Sequence, residues 1–179
     1  RDSKGLFYGL QTLRQLIQNK NGQWVLPCVQ IEDYPALAFR GLHFFTGKNA
    51  LKEQKNLVKF MAQYKLNHIV LQTDYLKLDR HPELTYEPQA QDKEEIRELI
   101  QFAKDNFIDI TPLMPTLGHA EWIWKTGLNM DIVEDPATPY AYQVLNPKSY
   151  ELVYSVYDEL IELFQPEYFH IGHDEVSTI

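Results

Sequence analysis

The sequence predicts an α/β chain of parallel strand–helix units, amounting to about half of a (β/α)8 barrel. Three observations carry this. From residue 40 onward, short apolar strand-like runs alternate with amphipathic helical stretches. The joints from helix to strand are tight (65–67, 106–107 and 165–167), whereas those from strand to helix are long (73–91 and 115–145). Long loops beyond the carboxyl ends of parallel strands are where such proteins build their sites. Finally, about four strands fit into 179 residues, where a closed barrel needs roughly 250. An open half-barrel has two unpaired edges, so the chain is expected to be truncated.

Each element has its own signal. Leu6, Leu10, Leu13 and Ile17 recur at helical spacing, and Asn21-Gly22 marks a turn. Residues 24–31 read as extended until Asp33-Tyr34-Pro35 breaks the run, because the residue before a proline avoids helix. A strand over 40–45 leads to a helix over 51–64, with Leu57, Val58 and Met61 on its apolar face. A second strand covers 68–72. The next helix, over 92–106, carries Ile96, Leu99, Ile100, Ala103 and Phe107 on one face, with Asp92 as N-cap and Glu95 as the return partner of a capping box. A third strand covers 108–114. The third of these helices starts at Asn146 as N-cap with Pro147 at the first position, where a missing N–H costs nothing. Val153, Val156, Tyr157, Leu160 and Phe164 form its stripe, Gln165-Pro166 ends it, and a fourth strand covers 168–172.

Composition narrows the function. Hydrophobic residues make up 44% and charged residues 23%, an ordinary globular balance. Lys and Arg number 17 against 25 Asp and Glu, a net charge of −8 that argues against nucleic acid as a partner. The 13% of aromatic residues suits either ring-shaped ligands or a larger core. A single cysteine, Cys28, excludes an internal disulfide and a multi-cysteine metal site. No apolar run approaches a membrane span, and no signal-peptide pattern opens the chain. Oligomeric state and compartment leave no mark in the sequence.

The sharpest feature is His170-Ile171-Gly172-His173-Asp174-Glu175-Val176, at the end of the fourth strand. Adjacent carboxylates there fit a paired site, one group protonated and the other ionised. A solvated loop whose carboxylates cap the next helix is the other reading. Neighbouring strand residues point to opposite faces, so both can meet one ligand only where the strand ends or bulges. The same geometry keeps His170 and His173 from sharing an ion, so no metal is expected.

This string resembles the H-x-G-G-D-E-V signature of family 20 glycoside hydrolases, the β-N-acetylhexosaminidases. Other stretches match in order. Gly5-Leu6-Phe7-Tyr8-Gly9-Leu10-Gln11-Thr12-Leu13 is similar to the helix closing the small α/β domain before that family's barrel. Asp33-Tyr34-Pro35 with Phe39-Arg40-Gly41-Leu42 resembles the entry to its first strand, and Gly118-His119-Ala120 its P-G-H-A. The resemblance implies that 1–35 is the end of the small domain with a linker, and that 36–179 is the first four βα units of the catalytic barrel.

The resemblance also implies a mechanism: removal of a terminal β-linked N-acetylhexosamine with retention, the substrate's 2-acetamido oxygen acting as nucleophile, with no cofactor. Glu175 would be the general acid and base, and Asp174 would accept the acetamido N–H. Arg40 would donate to sugar hydroxyls, or else form a structural ion pair. His119 would sit behind Glu175, or be a satisfied structural histidine. Trp122 or Trp124 would stack on a sugar face, or pack the loop. Later strands would complete the pocket, so the 179-residue chain alone is expected to be inactive.

Several positions depart from the family pattern. His173 stands where the signature has its second glycine, and Pro115 where an aspartate usually pairs with the histidine. The usual L-D-x-x-R-H is Leu42-His43-Phe44-Phe45-Thr46-Gly47-Lys48-Asn49, and W-H-L-T-D-D is replaced by Val70-Leu71-Gln72-Thr73-Asp74-Tyr75. These changes place His173 beside the carboxylates as a substrate contact. They also motivate an alternative, a catalytically impaired carbohydrate-binding relative. A third possibility is an unrelated (β/α) enzyme using Asp174 and Glu175 for proton transfer.

Overall fold

The computed structural model describes residues 2–176. Helix α1 (Ser3–Leu16) is capped by Asp2, whose carboxylate accepts from the Gly5 N–H at 2.7 Å. A two-stranded hairpin follows, β1 (Gln18–Lys20) against β2 (Gln23–Val25), turned at Asn21 and Gly22. The leucine stripe of α1 does not face the core as its spacing predicts. Leu6, Leu10, Leu13 and Ile17 are exposed, while Gln11 is buried and Phe7 packs against the core.

Beyond residue 40 lies a four-stranded, all-parallel sheet in the order β3 (Gly41–Phe45), β4 (His68–Gln72), β5 (Asp109–Thr116), β6 (His170–Gly172). Helices α2 (Leu51–Gln63), α3 (Lys93–Asp105) and α4 (Pro147–Phe164) connect these strands and pack side by side. This is the (β/α) progression expected from the alternating pattern. The core lies between helices and sheet, with Val58 and Met61 of α2, Ile96 and Leu99 of α3, and Val156 and Leu160 of α4 closing on Ile69, Leu71 and Met114. Leu57, expected on the inner face of α2, is exposed.

The tight joints have a shared cause. Lys65, Phe107 and Gln165, one just past each helix, adopt left-handed backbone with φ of 60°, 57° and 45°. After α2 and α3 this closes a Schellman motif: Leu66 N–H donates to Met61 O at 2.9 Å and Ile108 N–H to Ala103 O at 3.0 Å. Asn146 caps α4 as expected, accepting from Lys148 N–H at 3.1 Å. Asp92 occupies the N-cap position of α3 but makes no cap hydrogen bond; its carboxylate pairs with Lys77 Nζ at 2.9 Å, so the predicted capping box does not form.

One irregularity shapes the site. β5 pairs with β6 through Leu113↔His170 and then Thr116↔Gly172, so three steps on β5 face two on β6. Gly172 sits at this bulge with φ of 74°, and a Cβ there would stand 2.9 Å from Pro115 Cα and Thr116 N. Only glycine fits.

Candidate active site

The carboxyl ends of β5 and β6 carry the residues that the sequence singles out. β6 ends at Gly172, and the chain turns through His173 (φ 68°) and Glu175 (φ 46°). The matching turn beyond β5 runs through Leu117 (φ 70°), Gly118 and His119 (φ 52°). Four of the ten non-glycine residues with positive φ among the described residues thus flank one small region. Left-handed backbone at such residues costs energy and tends to mark functional sites. With the strand ended, Asp174 and Glu175 escape the alternation that would send them to opposite faces.

The two turns meet in a side-chain pair. His119 Nε2 lies 3.2 Å from Glu175 Oε2. With the carboxyl ionised, Nε2–H is the donor. The His173 N–H donates to Thr116 O at 3.3 Å, stitching the β6 turn to the end of β5. Its imidazole is exposed beside Asp174. Thr116 also places its hydroxyl 2.9 Å from the Tyr157 hydroxyl and donates to Ile171 O at 2.5 Å.

Beside this pair opens a cavity of about 370 Å³, lined by Gln72, Asp74, His119, Glu121, Trp122 and Lys125 among others. Asp74 is the chemically distinctive group in it. Its Oδ1 has no hydrogen-bond partner, and burial raises its carboxyl above the usual aspartate range despite a hydrogen bond from Gln72 and the charge of Lys125. Lys125 donates to the Tyr75 hydroxyl at 2.7 Å and to Gln89 Oε1 at 2.8 Å, over the faces of Tyr75 and Tyr86. In the sequence Asp74 is noted only within the stretch that replaces W-H-L-T-D-D, and Tyr140, which also borders His119, is not singled out. An aspartate just past the end of a parallel strand was the one available signal.

Three residues expected to contact the sugar have other structural roles. Arg40 precedes β3, so it lies at the amino end of the sheet, away from the carboxylates. Its guanidinium donates to Lys65 O from Nε (3.0 Å) and Nη2 (2.8 Å), and to Leu37 O and Ala38 O from Nη1. Those donors are committed to backbone and unavailable to a sugar. A cavity of about 670 Å³ is at that end too, between α1, the 29–35 segment and Arg40. Trp122 and Trp124 are only 5% and 6% exposed and belong to the core. The Trp122 indole N–H donates to Pro115 O at 2.7 Å, so it ties the long loop to β5, and only a small part of the residue reaches the cavity beside His119. Trp124 is packed likewise, with its indole N–H unpaired.

Among the described residues no group of three or more His, Cys, Asp or Glu side chains is arranged to hold a metal ion, and no helix is long and apolar enough to cross a membrane.

Comparison with known proteins gives the site a context. Residues 37–179 match the model of the glycosyl hydrolase family 20 catalytic domain, and residues 1–34 that of the family's domain 2. A β-hexosaminidase of Emericella nidulans is 28% identical over 97% of this chain and 33% of its own length. The chitobiase of Flavobacterium johnsoniae superposes with a TM-score of 0.85 at 28% identity, covering 96% of this chain and 29% of that one. A variant β-hexosaminidase of Streptomyces plicatus in complex with N-acetylglucosamine gives a TM-score of 0.85 at 26% identity, over 98% of this chain and 42% of that one. The chain thus spans about a third of the length of the relatives that it matches. Its parallel α/β sheet is part of a TIM barrel, and the chain belongs to glycosyl hydrolase family 20.

Proposed function

We propose that the whole protein is a glycosidase that removes terminal β-linked N-acetylhexosamine by substrate-assisted, retaining hydrolysis. The observation that carries this reading is the His119–Glu175 contact beside Asp174, at the carboxyl end of a parallel sheet, in a chain of this family. Relatives named β-hexosaminidase and chitobiase support it.

The chemistry follows from the residue types. Glu175, protonated, gives its proton to the glycosidic oxygen as the bond from the anomeric carbon breaks. The acetamido oxygen of the same sugar attacks that carbon, and holding nucleophile and electrophile in one molecule supplies a large effective molarity. Asp174 accepts the acetamido N–H and stabilises the positive charge that develops on the new ring. Glu175, now ionised, takes a proton from water, which opens the ring at the anomeric carbon and restores the configuration. His119 positions the Glu175 carboxyl through Nε2, and His173 borders the substrate beside Asp174. The small domain and linker of 1–35 and the barrel units of 36–179 are the corresponding division of the chain.

The test uses the full-length protein. An aryl β-N-acetylglucosaminide should turn over while the matching aryl β-glucoside, lacking the acetamido group, does not. Glu175→Gln should lower kcat about 10²- to 10⁴-fold, the range for loss of a general acid. Equal turnover of both sugars would overturn the substrate-assisted mechanism. Binding of the acetamido sugar without turnover would make the protein the carbohydrate-binding relative that His173 and Pro115 favour.

A further inference from the structure

The His119–Glu175 pair is poorly secured by its own energetics. The two side chains are 39% and 78% exposed, and a polar contact between groups so wet contributes little. A carboxyl that must meet a glycosidic oxygen in one orientation needs more than that. Both partners also sit on left-handed backbone, at φ of 52° and 46°, which the surrounding structure has to hold in place.

One residue touches both turns. The Tyr140 hydroxyl donates to the main-chain carbonyl of Glu175 at 2.8 Å. Its ring meets the His119 imidazole edge-to-face, with centroids 4.9 Å apart and planes at 69°. Its own carbonyl accepts from the Ala120 N–H at 3.0 Å, one residue past His119. The ring is seated against the turn itself, since a Cβ on Gly118 would stand 3.0 Å from Tyr140 Cε1. Burial, with the negative charges of Glu121, Glu175 and Asp174, pushes its phenol above the ordinary tyrosine value, so the hydroxyl remains a donor throughout the neutral range.

We propose that Tyr140 is a positioning residue for the acid/base step, its hydroxyl fixing the Glu175 backbone and its ring fixing His119 so that the carboxyl is aimed at the leaving-group oxygen. The inference rests on the role of Glu175 proposed above. It extends the site to the far end of the long loop after β5, whose near end supplies His119.

A misaimed acid has a signature that a merely destabilised protein lacks. A dinitrophenolate leaves without being protonated, whereas an unsubstituted phenolate needs the proton. In the full-length protein, Tyr140→Phe should therefore lower kcat/KM for phenyl β-N-acetylglucosaminide about tenfold, part of the general-acid contribution, and for the dinitrophenyl analogue less than about twofold. Gly118→Ala, which keeps the hydroxyl but displaces the ring, should show the same selectivity and provides the test if Tyr140→Phe fails to fold. Equal losses on both substrates, or none, in a wild-type protein that depends on Glu175 would overturn the positioning role and leave the glycosidase reading standing. A wild-type protein that turns over neither substrate would overturn both.

Discussion

At the scale of single residues, the site is held by backbone shape as much as by side-chain contact. Gly172 is the clearest case. Replacing it with alanine would put a Cβ 2.9 Å from two backbone atoms of β5 at a φ of 74°. Gly172→Ala should then cost about 3 kcal/mol in urea denaturation, combining backbone strain with overpacking, whereas Gly9→Ala, which meets nothing within 4 Å, should not. The residue scale is also where the sequence was most and least legible. Asp174 and Glu175 are readable because adjacent acids at a strand end are conspicuous. Arg40 is not: its chemistry suits a sugar, but whether its fork reaches ligand or backbone depends on which end of β3 it occupies. Tyr140 stands 35 residues from its partner Glu175, and no spacing rule spans such a loop.

At the scale of elements, one carboxylate locks two helices and a loop together. The Glu159 carboxylate on α4, 3% exposed, accepts from Asp79 N–H at 2.6 Å and Arg80 N–H at 3.0 Å and pairs with Lys93 on α3. Burial alone would raise its pKa, but the Lys93 hydrogen bond and the two backbone N–H groups together outweigh burial and hold it below the ordinary glutamate value. A depressed carboxyl stabilises the fold fully above the unfolded value, about 4.3, and loses that stabilisation as pH falls through the folded one. Glu159→Gln should thus cost about 2–3 kcal/mol near pH 7, with the gap from wild type narrowing below about pH 4 in thermal denaturation scans. The strands and helices themselves were legible because 2- and 3.6-residue periods survive burial. Their caps were less so. Asp92 found a lysine in place of the helix end, and the left-handed residues closing α2 and α3 are Lys65 and Phe107, not the glycines by which such ends are usually recognised. The α1 stripe misled because periodicity shows that a helix has an apolar face, not which neighbour covers it.

At the scale of the whole molecule, the parallel sheet presents β3 and β6 as edges with no further partner among the described residues, beside exposed apolar side chains such as Phe45, Tyr154 and Ile171. Unpaired strand edges next to apolar surface template association. The 179-residue chain on its own should self-associate, eluting earlier from a sizing column as its concentration rises, and a constant monomer volume would refute this. The bulge between β5 and β6 bears on the molecule differently. Side chains alternate along a strand, so the face from which any residue emerges depends on whether the number of preceding steps is odd or even. The three-against-two pairing from Leu113 to Thr116 inserts one odd step at the threshold of the site. What this stretch must conserve is therefore a parity. Its side chains can be exchanged, but the loss of a single link would turn Thr116 from Tyr157 and carry His119 away from Glu175, undoing the site with every functional residue still in the chain.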